Sequence, residues 1–182
     1  QASRKDARDA VLAARAAFAK WSTATAYNRG QVLYRIAEVM EGRRDQFSSE
    51  VQQAEGLSAR KAAQQVDAAI DRWVWYAGWA DKYAQAIGNT NPVAGPFFNF
   101  SIPEPTGVVA AVAPQDNSIL GLTSVIAPII MTGNATIVVP SPSAPIPAIT
   151  LAECLATSDV PAGVVNILTG APVDVTPWLA EH

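Results

Sequence analysis

Apolar residues recur every three or four positions through the first 87 residues, which is the period of helices that bury one face. Ser3 has the position of an N-cap, so a first helix is predicted to begin there. A second helix is predicted from near Thr25 to a C-terminal turn at Gly56. Ser58 is predicted to cap a third helix that runs to about Ala86.

Residues 88 to 106 follow a different pattern. A run of turn-forming residues opens the segment at Gly88, and Phe98, Phe100 and Ile102 then alternate with polar residues. Alternation at every second position is typical of a half-buried strand. The segment is therefore predicted to contain a strand with one buried face.

Residues 107 to 182 contain three short apolar runs separated by helical segments. The runs cover residues 108–113, 135–139 and 164–168, and each has the composition of a strand covered on both faces. Ser118 is predicted to cap a helix through about Met131, and a second helix is predicted to start with Pro147 in its first turn. The order β-α-β-α-β predicts an α/β fold, the Rossmann-like first half of a doubly wound parallel sheet with right-handed crossovers.

The composition is that of a soluble globular domain, with 182 residues of which 49% are hydrophobic and 16% charged. A net charge of −3 argues against nucleic acid or an anionic membrane as a partner. The most apolar stretch, residues 119–131, is too short to span a bilayer. The chain starts at Gln1 rather than at a methionine, so residues that precede it are expected.

The residues most often used in catalysis are scarce. Cys154 is the single cysteine, which excludes an internal disulfide and fits a reducing compartment, so a cytoplasmic location is expected. Because Cys154 lies on an apolar helical stripe, it is predicted to be a buried structural thiol rather than a nucleophile. His182, the only histidine, is the last residue, and no clustered metal ligands are present.

Ligands of parallel sheets collect where the strands end, which here means the segments 114–118, 140–143 and 169–173. No glycine-rich phosphate-binding motif occurs at any of them. Asp116 and Asn117 are the most suggestive polar pair, although the pattern alone also fits a plain turn.

Four short segments stand in a fixed order along the chain: Ala-Ala-Arg-Ala-Ala-Phe at 13–18, Tyr-Ala-Gly-Trp-Ala-Asp-Lys at 76–82, Glu-Pro-Thr-Gly-Val-Val at 104–109 and Pro-Ala-Gly-Val-Val-Asn at 161–166. In their order and spacing they resemble the N-terminal part of the cofactor-binding domain of aldehyde dehydrogenases. The resemblance implies the fold inferred above, a much longer parent protein, and an oligomerisation arm formed by residues 88–106.

The reaction implied by the resemblance is oxidation of an aldehyde to a carboxylic acid with NAD or NADP. In that family a cysteine attacks the carbonyl, hydride passes to the nicotinamide, and a glutamate activates water. Both groups would lie beyond His182, and Cys154 does not occupy the position of the nucleophile. The chain by itself is therefore expected to be incomplete as an enzyme.

The family's oxyanion segment, Pro-Trp-Asn-Phe-Pro, is altered here. The matching residues are Pro114, Gln115, Asp116, Asn117 and Ser118. An ungapped match places Asp116 where the resemblance implies an asparagine that donates to the oxyanion, and an ionised aspartate would repel that charge. Asn117 takes the role only if the loop shifts by one residue.

The implied cofactor contacts are altered as well. In the family pattern Lys-Pro-Ser-Glu, the lysine and the glutamate hold the adenosine ribose. The matching residues in this chain are Val139, Pro140, Ser141 and Pro142. Loss of two hydrogen bonds to charged groups weakens NAD or NADP binding by about 10²- to 10⁴-fold. Of the glycine-bearing loop after the third strand, only Gly170 is kept.

These alterations leave alternative functions open. The chain is expected to be either part of an aldehyde dehydrogenase with atypical cofactor recognition or a non-catalytic homologue with a structural role in assembly. An unrelated α/β binding module is a third, weaker hypothesis. Because a three-stranded sheet exposes an edge and apolar faces, the expected partners are copies of the chain, the missing C-terminal half, or an active paralogue.

Overall fold

A computed structural model describes all 182 residues, which form eight helices and two separate sheets. The helices are α1 (Arg4–Ser22), α2 (Ala26–Gly42), α3 (Arg44–Glu55), α4 (Ala59–Trp79), α5 (Tyr83–Ile87), α6 (Leu120–Met131), α7 (Ile146–Ala156) and α8 (Pro172–Ala180). The strands are β1 (Asn89–Thr90), β2 (Phe100–Ser101), β3 (Val108–Val112), β4 (Ala135–Val139) and β5 (Val165–Ile167). None of the helices is both long and apolar enough to cross a lipid bilayer.

The larger sheet is parallel, with the strand order β3-β4-β5. Val108 is in register with Ala135, and Thr136 with Val165. Helices α6 and α7 connect the strands, so the predicted β-α-β-α-β order is confirmed.

Two apolar cores cover the two faces of β4, and all five of its residues are buried. On one face, Ile137 and Val139 join a cluster formed by α1 and α8. On the other face, Val138 joins a larger cluster formed by α2, α3, α4, α6 and α7. Its largest fully buried side chains are Trp73, Phe47, Leu33, Ile36 and Met40.

Strands β3 and β5 depart from the prediction that each strand is covered on both faces. Each pairs with β4 on one side and has no strand on the other. The residues of β5 are half-buried, and those of β3 are half-buried or exposed, with Val112 44% exposed. The apolar runs therefore predicted both strands correctly, but they could not show that these strands lie at the edges of the sheet.

Three predicted helix starts are confirmed by their caps. Ser3 accepts a hydrogen bond from the Asp6 N–H at 3.4 Å, and the Asp6 carboxylate accepts from the Ser3 N–H at 2.7 Å, which completes a capping box. Thr25 and Ser58 accept from the N–H groups three positions later. In each case the cap and its partner lie within one turn.

The second and third predicted helices are each divided, which corrects their predicted extents. At Arg43 the backbone leaves the helical region (φ −112°, ψ 15°), directly after a glycine, the poorest helix former apart from proline. The Arg43 guanidinium then donates to Glu153 of α7 at 2.6 Å. Helix α4 ends at Trp79, where Lys82 donates to the Gly78 carbonyl at 2.6 Å.

The predicted N-cap of α6 is also wrong. Ile119 occupies the cap position, and the Asn117 side chain accepts from the Gly121 N–H at 2.9 Å. Ser118 instead faces Glu55 of α3. Helix α8, with Pro172 in its first turn, was not predicted at all.

Side chains of the N-terminal helices donate hydrogen bonds to carbonyl groups at the C-terminal end of α6. Trp21 Nε1 donates to the Ile130 carbonyl and Arg29 Nε to the Met131 carbonyl, both at 2.9 Å. Arg29 also donates to the Ala24 carbonyl. Burial lowers the pKa of Arg29, and these carbonyl groups compensate for the lost solvation of its charge.

Residues 88–106 form a short antiparallel hairpin in which Thr90 pairs with Phe100. The predicted half-buried strand is reduced to two exposed residues in β2. Phe97 and Phe98 are 76% and 79% exposed, because no other part of the chain packs against them. The role of this hairpin as an oligomerisation arm stays a prediction.

Gly163, before β5, lies against α1 more closely than any other residue type permits. A Cβ atom at this position would stand 2.5 Å from the Ala13 carbonyl oxygen, and φ is +88°. Both the contact and the backbone conformation require glycine.

We expect Gly163→Ala to lower the free energy of unfolding by about 2–4 kcal/mol, because it adds a backbone clash to a strained φ. Urea denaturation measures this change. Gly42→Ala is the matched control, since a Cβ atom there meets nothing within 4 Å. The control should be neutral or raise stability by up to about 1 kcal/mol. Equal effects of both substitutions would contradict the close packing of Gly163 on α1.

Candidate functional site

The loops that follow β3 and β4 meet at the C-terminal edge of the sheet. The Ala113 N–H donates to the Val139 carbonyl at 3.0 Å, which extends the pairing of the two strands into the loops. Ser141 Oγ then donates to the Gln115 carbonyl at 2.7 Å. Pro114 packs on Gly121 of α6, where a Cβ atom would come within 2.9 Å of the proline ring.

The Gln115 side chain turns back toward its own strand. Its Nε2 atom donates to the Ala113 carbonyl at 2.5 Å. On the neighbouring loop, the Oγ atoms of Ser141 and Ser143 lie 2.9 Å apart, and Ser141 is buried. The β3–α6 loop is thus held by two contacts: the Gln115 side chain bonds to its own strand, and Ser141 bonds to it from the loop after β4.

Asp116 and Asn117 lie at the tip of the β3–α6 loop and differ in chemistry. Asp116 is exposed, and its carboxylate makes no hydrogen bond within the chain. Asn117 uses its Oδ1 atom to accept from the Gly121 N–H, which leaves its Nδ2 group without a partner. Asp116 therefore offers only an acceptor at this edge, whereas Asn117 offers the free side-chain donor.

Val139, Pro140 and Pro142 provide no polar side-chain group at the edge of the sheet. Val139 and Pro140 are buried, and Val139 belongs to the apolar cluster against α1. Pro142 is exposed and lacks a backbone N–H. These positions therefore do not fit the hydrogen bonds to a ribose that the resemblance implies.

Gly170 lies apart from the other candidate residues. Its loop is occupied by the first residues of the chain: the Ala2 N–H donates to the Thr169 carbonyl at 2.6 Å. A Cβ atom on Gly170 would come within 3.4 Å of Gln1 and 3.2 Å of Val175. No hydrogen bond joins this loop to those after β3 and β4.

Glu55 is the residue of the site that sequence reasoning missed. Its Oε1 atom accepts from the Ser118 N–H at 2.7 Å and from the Ser118 hydroxyl at 2.5 Å. Its Oε2 atom accepts from Gln65 Nε2 at 2.8 Å. Glu55 and Ser118 are 63 positions apart, so no local pattern could have paired them.

Cys154 lies fully buried in α7, as predicted for a structural thiol. Burial raises the pKa of the Cys154 thiol, and the Arg43 guanidinium 3.8 Å from its sulfur only partly opposes this effect. A thiol with a raised pKa carries little thiolate near neutral pH, so Cys154 is a poor nucleophile. His182 is exposed, and no group of three or more potential metal ligands comes together.

A groove of about 550 Å³ lies away from these loops. It runs along α4 and is lined by Asp71, Arg72, Val74, Trp75, Tyr76 and Ala68. The free polar side chains of Asp116 and Asn117 lie instead on the β3–α6 loop.

Comparison with known proteins identifies the family. The model of the Aldehyde dehydrogenase family matches residues 1–182. Cytosolic aldehyde dehydrogenase 1 of Elephantulus edwardii is 34% identical over 174 residues, which cover 93% of this chain and 34% of that protein. The chain thus spans about a third of the length of this curated relative.

Solved structures agree in fold. The structure of HpcC from Thermus thermophilus has a TM-score of 0.94 at 28% identity, over 100% of this chain and 35% of that one. The NAD⁺ complex of an aldehyde dehydrogenase from Bacillus cereus has a TM-score of 0.93 at 25% identity, over 100% of this chain and 37% of that one. The chain belongs to the aldehyde dehydrogenase family, of whose fold it is the N-terminal portion.

Proposed function

We propose that the protein containing this chain is an oxidoreductase that converts an aldehyde to a carboxylic acid with NAD or NADP. The observation that carries the proposal is the parallel β3-β4-β5 sheet, whose loops after β3 and β4 meet at one edge in a chain of this family. The NAD⁺ complex of the Bacillus cereus relative supports a nicotinamide cofactor. The nucleophilic cysteine and the glutamate base would come from the rest of the protein.

We propose that the protein binds this cofactor with low affinity. Val139 and Pro142 replace the lysine and glutamate implied by the resemblance, and neither side chain forms a hydrogen bond. At about 1.5–3 kcal/mol for each bond to a charged group, the dinucleotide would bind about 10²- to 10⁴-fold more weakly than to a site that keeps both residues.

Pro142→Glu tests this proposal, because position 142 is exposed and accepts a larger polar side chain without repacking. We expect the substitution to lower the Kd for NAD⁺ by about 10- to 100-fold, since one charged acceptor for the ribose hydroxyls is restored. Isothermal titration of the full-length protein with NAD⁺ and NADP⁺ measures the change.

Ile146→Glu is the matched control: it adds the same charge four residues further along, at a position that is also exposed and takes no part in holding the loops. It should leave the Kd for NAD⁺ near the wild-type value. Micromolar binding by the unmodified protein, or equal tightening by both substitutions, would contradict the interpretation of Val139 and Pro142.

Asp116 bears on whether the protein turns over an aldehyde efficiently. A negative carboxylate at the loop tip opposes the oxyanion that forms when a carbonyl is attacked, whereas a donor would stabilise it. The free Nδ2 group of Asn117 is the side-chain donor that the loop offers in place of the family asparagine.

We expect Asp116→Asn to raise kcat by about 10- to 100-fold, because it replaces a repelling charge with a hydrogen-bond donor. Steady-state reduction of NAD⁺ with an aldehyde substrate measures the rate. Asn117→Asp is the matched variant: it keeps an acceptor for the Gly121 N–H and so keeps the cap of α6, but it removes the donor. A fall in kcat with this variant would place the Asn117 side chain beside the developing oxyanion, because the substitution removes a donor and adds a repelling charge.

A non-catalytic homologue with a role in assembly is the second candidate function. It is favoured by the loss of polar groups at positions 139 and 142 together with the exposed phenylalanines of the hairpin at 88–106. Its proposed partners are further copies of the chain, the rest of the protein, or an active paralogue. A full-length protein that forms a stable oligomer but has no aldehyde-dependent turnover, even with Asp116→Asn, would support this second function over the first.

A further inference from the structure

The Glu55 carboxylate reaches the β3–α6 loop from a helix distant in sequence. Glu55 is the last residue of α3, and its Oε1 atom accepts from both the backbone N–H and the hydroxyl of Ser118. Ser118 is 1% exposed, so water does not compete readily for these bonds. Hydrogen bonds to an ionised acceptor are about twice as strong as neutral ones.

The carboxylate is itself held in place. Gln65 of α4 donates to Glu55 Oε2 at 2.8 Å, so each carboxylate oxygen has a partner on a different element. The contact to Ser118 does not replace the cap of α6, because the Asn117 side chain already accepts from the Gly121 N–H. What Glu55 fixes is the position of the loop relative to α3 and α4.

Position 118, which makes this contact, differs from the family pattern. The corresponding residue of the family pattern is a proline, which has no N–H to donate. Ser118 supplies both donors that the Glu55 carboxylate accepts. The rigidity that a proline gives to a backbone through its own ring is here provided by a contact from another helix.

We propose that Glu55 is a positioning residue that holds the β3–α6 loop through Ser118 and thereby sets Asp116 and Asn117 at the edge of the sheet where the aldehyde would react. The proposal rests on the proposed function for the nature of that reaction. Glu55 acts only through Ser118, and it does not contact the substrate itself.

Glu50 provides a matched control on the same helix. It lies five positions before Glu55, and its Oε1 atom accepts from Thr150 of α7 at 3.0 Å. It is likewise a half-buried carboxylate that reaches another helix, but its contact does not involve the β3–α6 loop. If Glu55 only stabilised the packing of the helices, Glu50→Ala and Glu55→Ala should therefore have the same effect.

The first measurement is hydrogen–deuterium exchange of the full-length protein, followed in a peptide that covers residues 113 to 121. We expect Glu55→Ala to speed exchange at the Ser118 amide by about 10- to 100-fold, the effect of losing one charge-assisted bond. Glu55→Gln should stay near wild type, because its amide oxygen still accepts from Ser118. Rotation of the Gln65 amide then lets its Oε1 atom, which is buried without a partner, accept from the new NH₂ group.

The second measurement is steady-state kinetics with an aldehyde and saturating NAD⁺. In an Asp116→Asn background, where both loop-tip side chains can donate, misplacement of the loop should lower kcat by about 10- to 100-fold in Glu55→Ala with little change in KM, because the donors then leave the reacting carbonyl. Glu55→Gln should restore kcat, and Glu50→Ala should leave it unchanged.

Three results would overturn the proposal. These are unchanged exchange in the 113–121 peptide of Glu55→Ala, faster exchange throughout the protein to the same extent as in Glu50→Ala, or a mobile loop with an unaltered kcat. A wild-type protein without aldehyde-dependent turnover would instead refute the proposed function. In that case the exchange measurement still decides whether Glu55 holds the loop.

Discussion

Burial of β4 on both faces is the constraint on which the rest of this structure depends. A strand with no exposed residue needs a helical layer on each side, and α1 with α8 supplies one while α6 and α7 supply the other. Parallel pairing then places the carboxyl ends of β3, β4 and β5 at one edge. The polar loops have a common location because of this apolar packing.

The conformation of the β3–α6 loop comes from hydrogen bonds supplied by several distant elements. Ser141 contacts it from the loop after β4, Glu55 from α3, and the start of α6 through the Asn117 side chain. Asp116 is the part of the loop that no contact holds. This edge therefore presents a free acceptor, the Asp116 carboxylate, next to a free donor, the Asn117 amide.

Local signals in the sequence predicted most of the fold. Ser3 and Ser58 were recognisable as caps, and Thr25 as the approximate start of a helix, because each N-cap bonds a backbone group within one turn. The apolar runs located β3, β4 and β5, because a strand between helical layers has little polar surface. The family resemblance added the identity of the fold, which the comparisons confirm.

The features that were missed depend on contacts between residues far apart in sequence. Ser118 resembles an N-cap but bonds to Glu55, and nothing in its neighbourhood indicates that partner. Exposure of β3 and of the hairpin phenylalanines depends on what surrounds them in space, which periodicity does not encode.

The full burial of Val139 makes positions 139 and 142 unequal in the substitutions that they tolerate. Pro142 stands in solvent, so a single replacement there is free of packing constraints. Val139 shares its cluster with Ala7 and Val11 of α1, and a lysine at that position would have to thread its alkyl chain past the helix before its ammonium reached water. A positive charge is therefore harder to accommodate at position 139 than a negative charge at position 142.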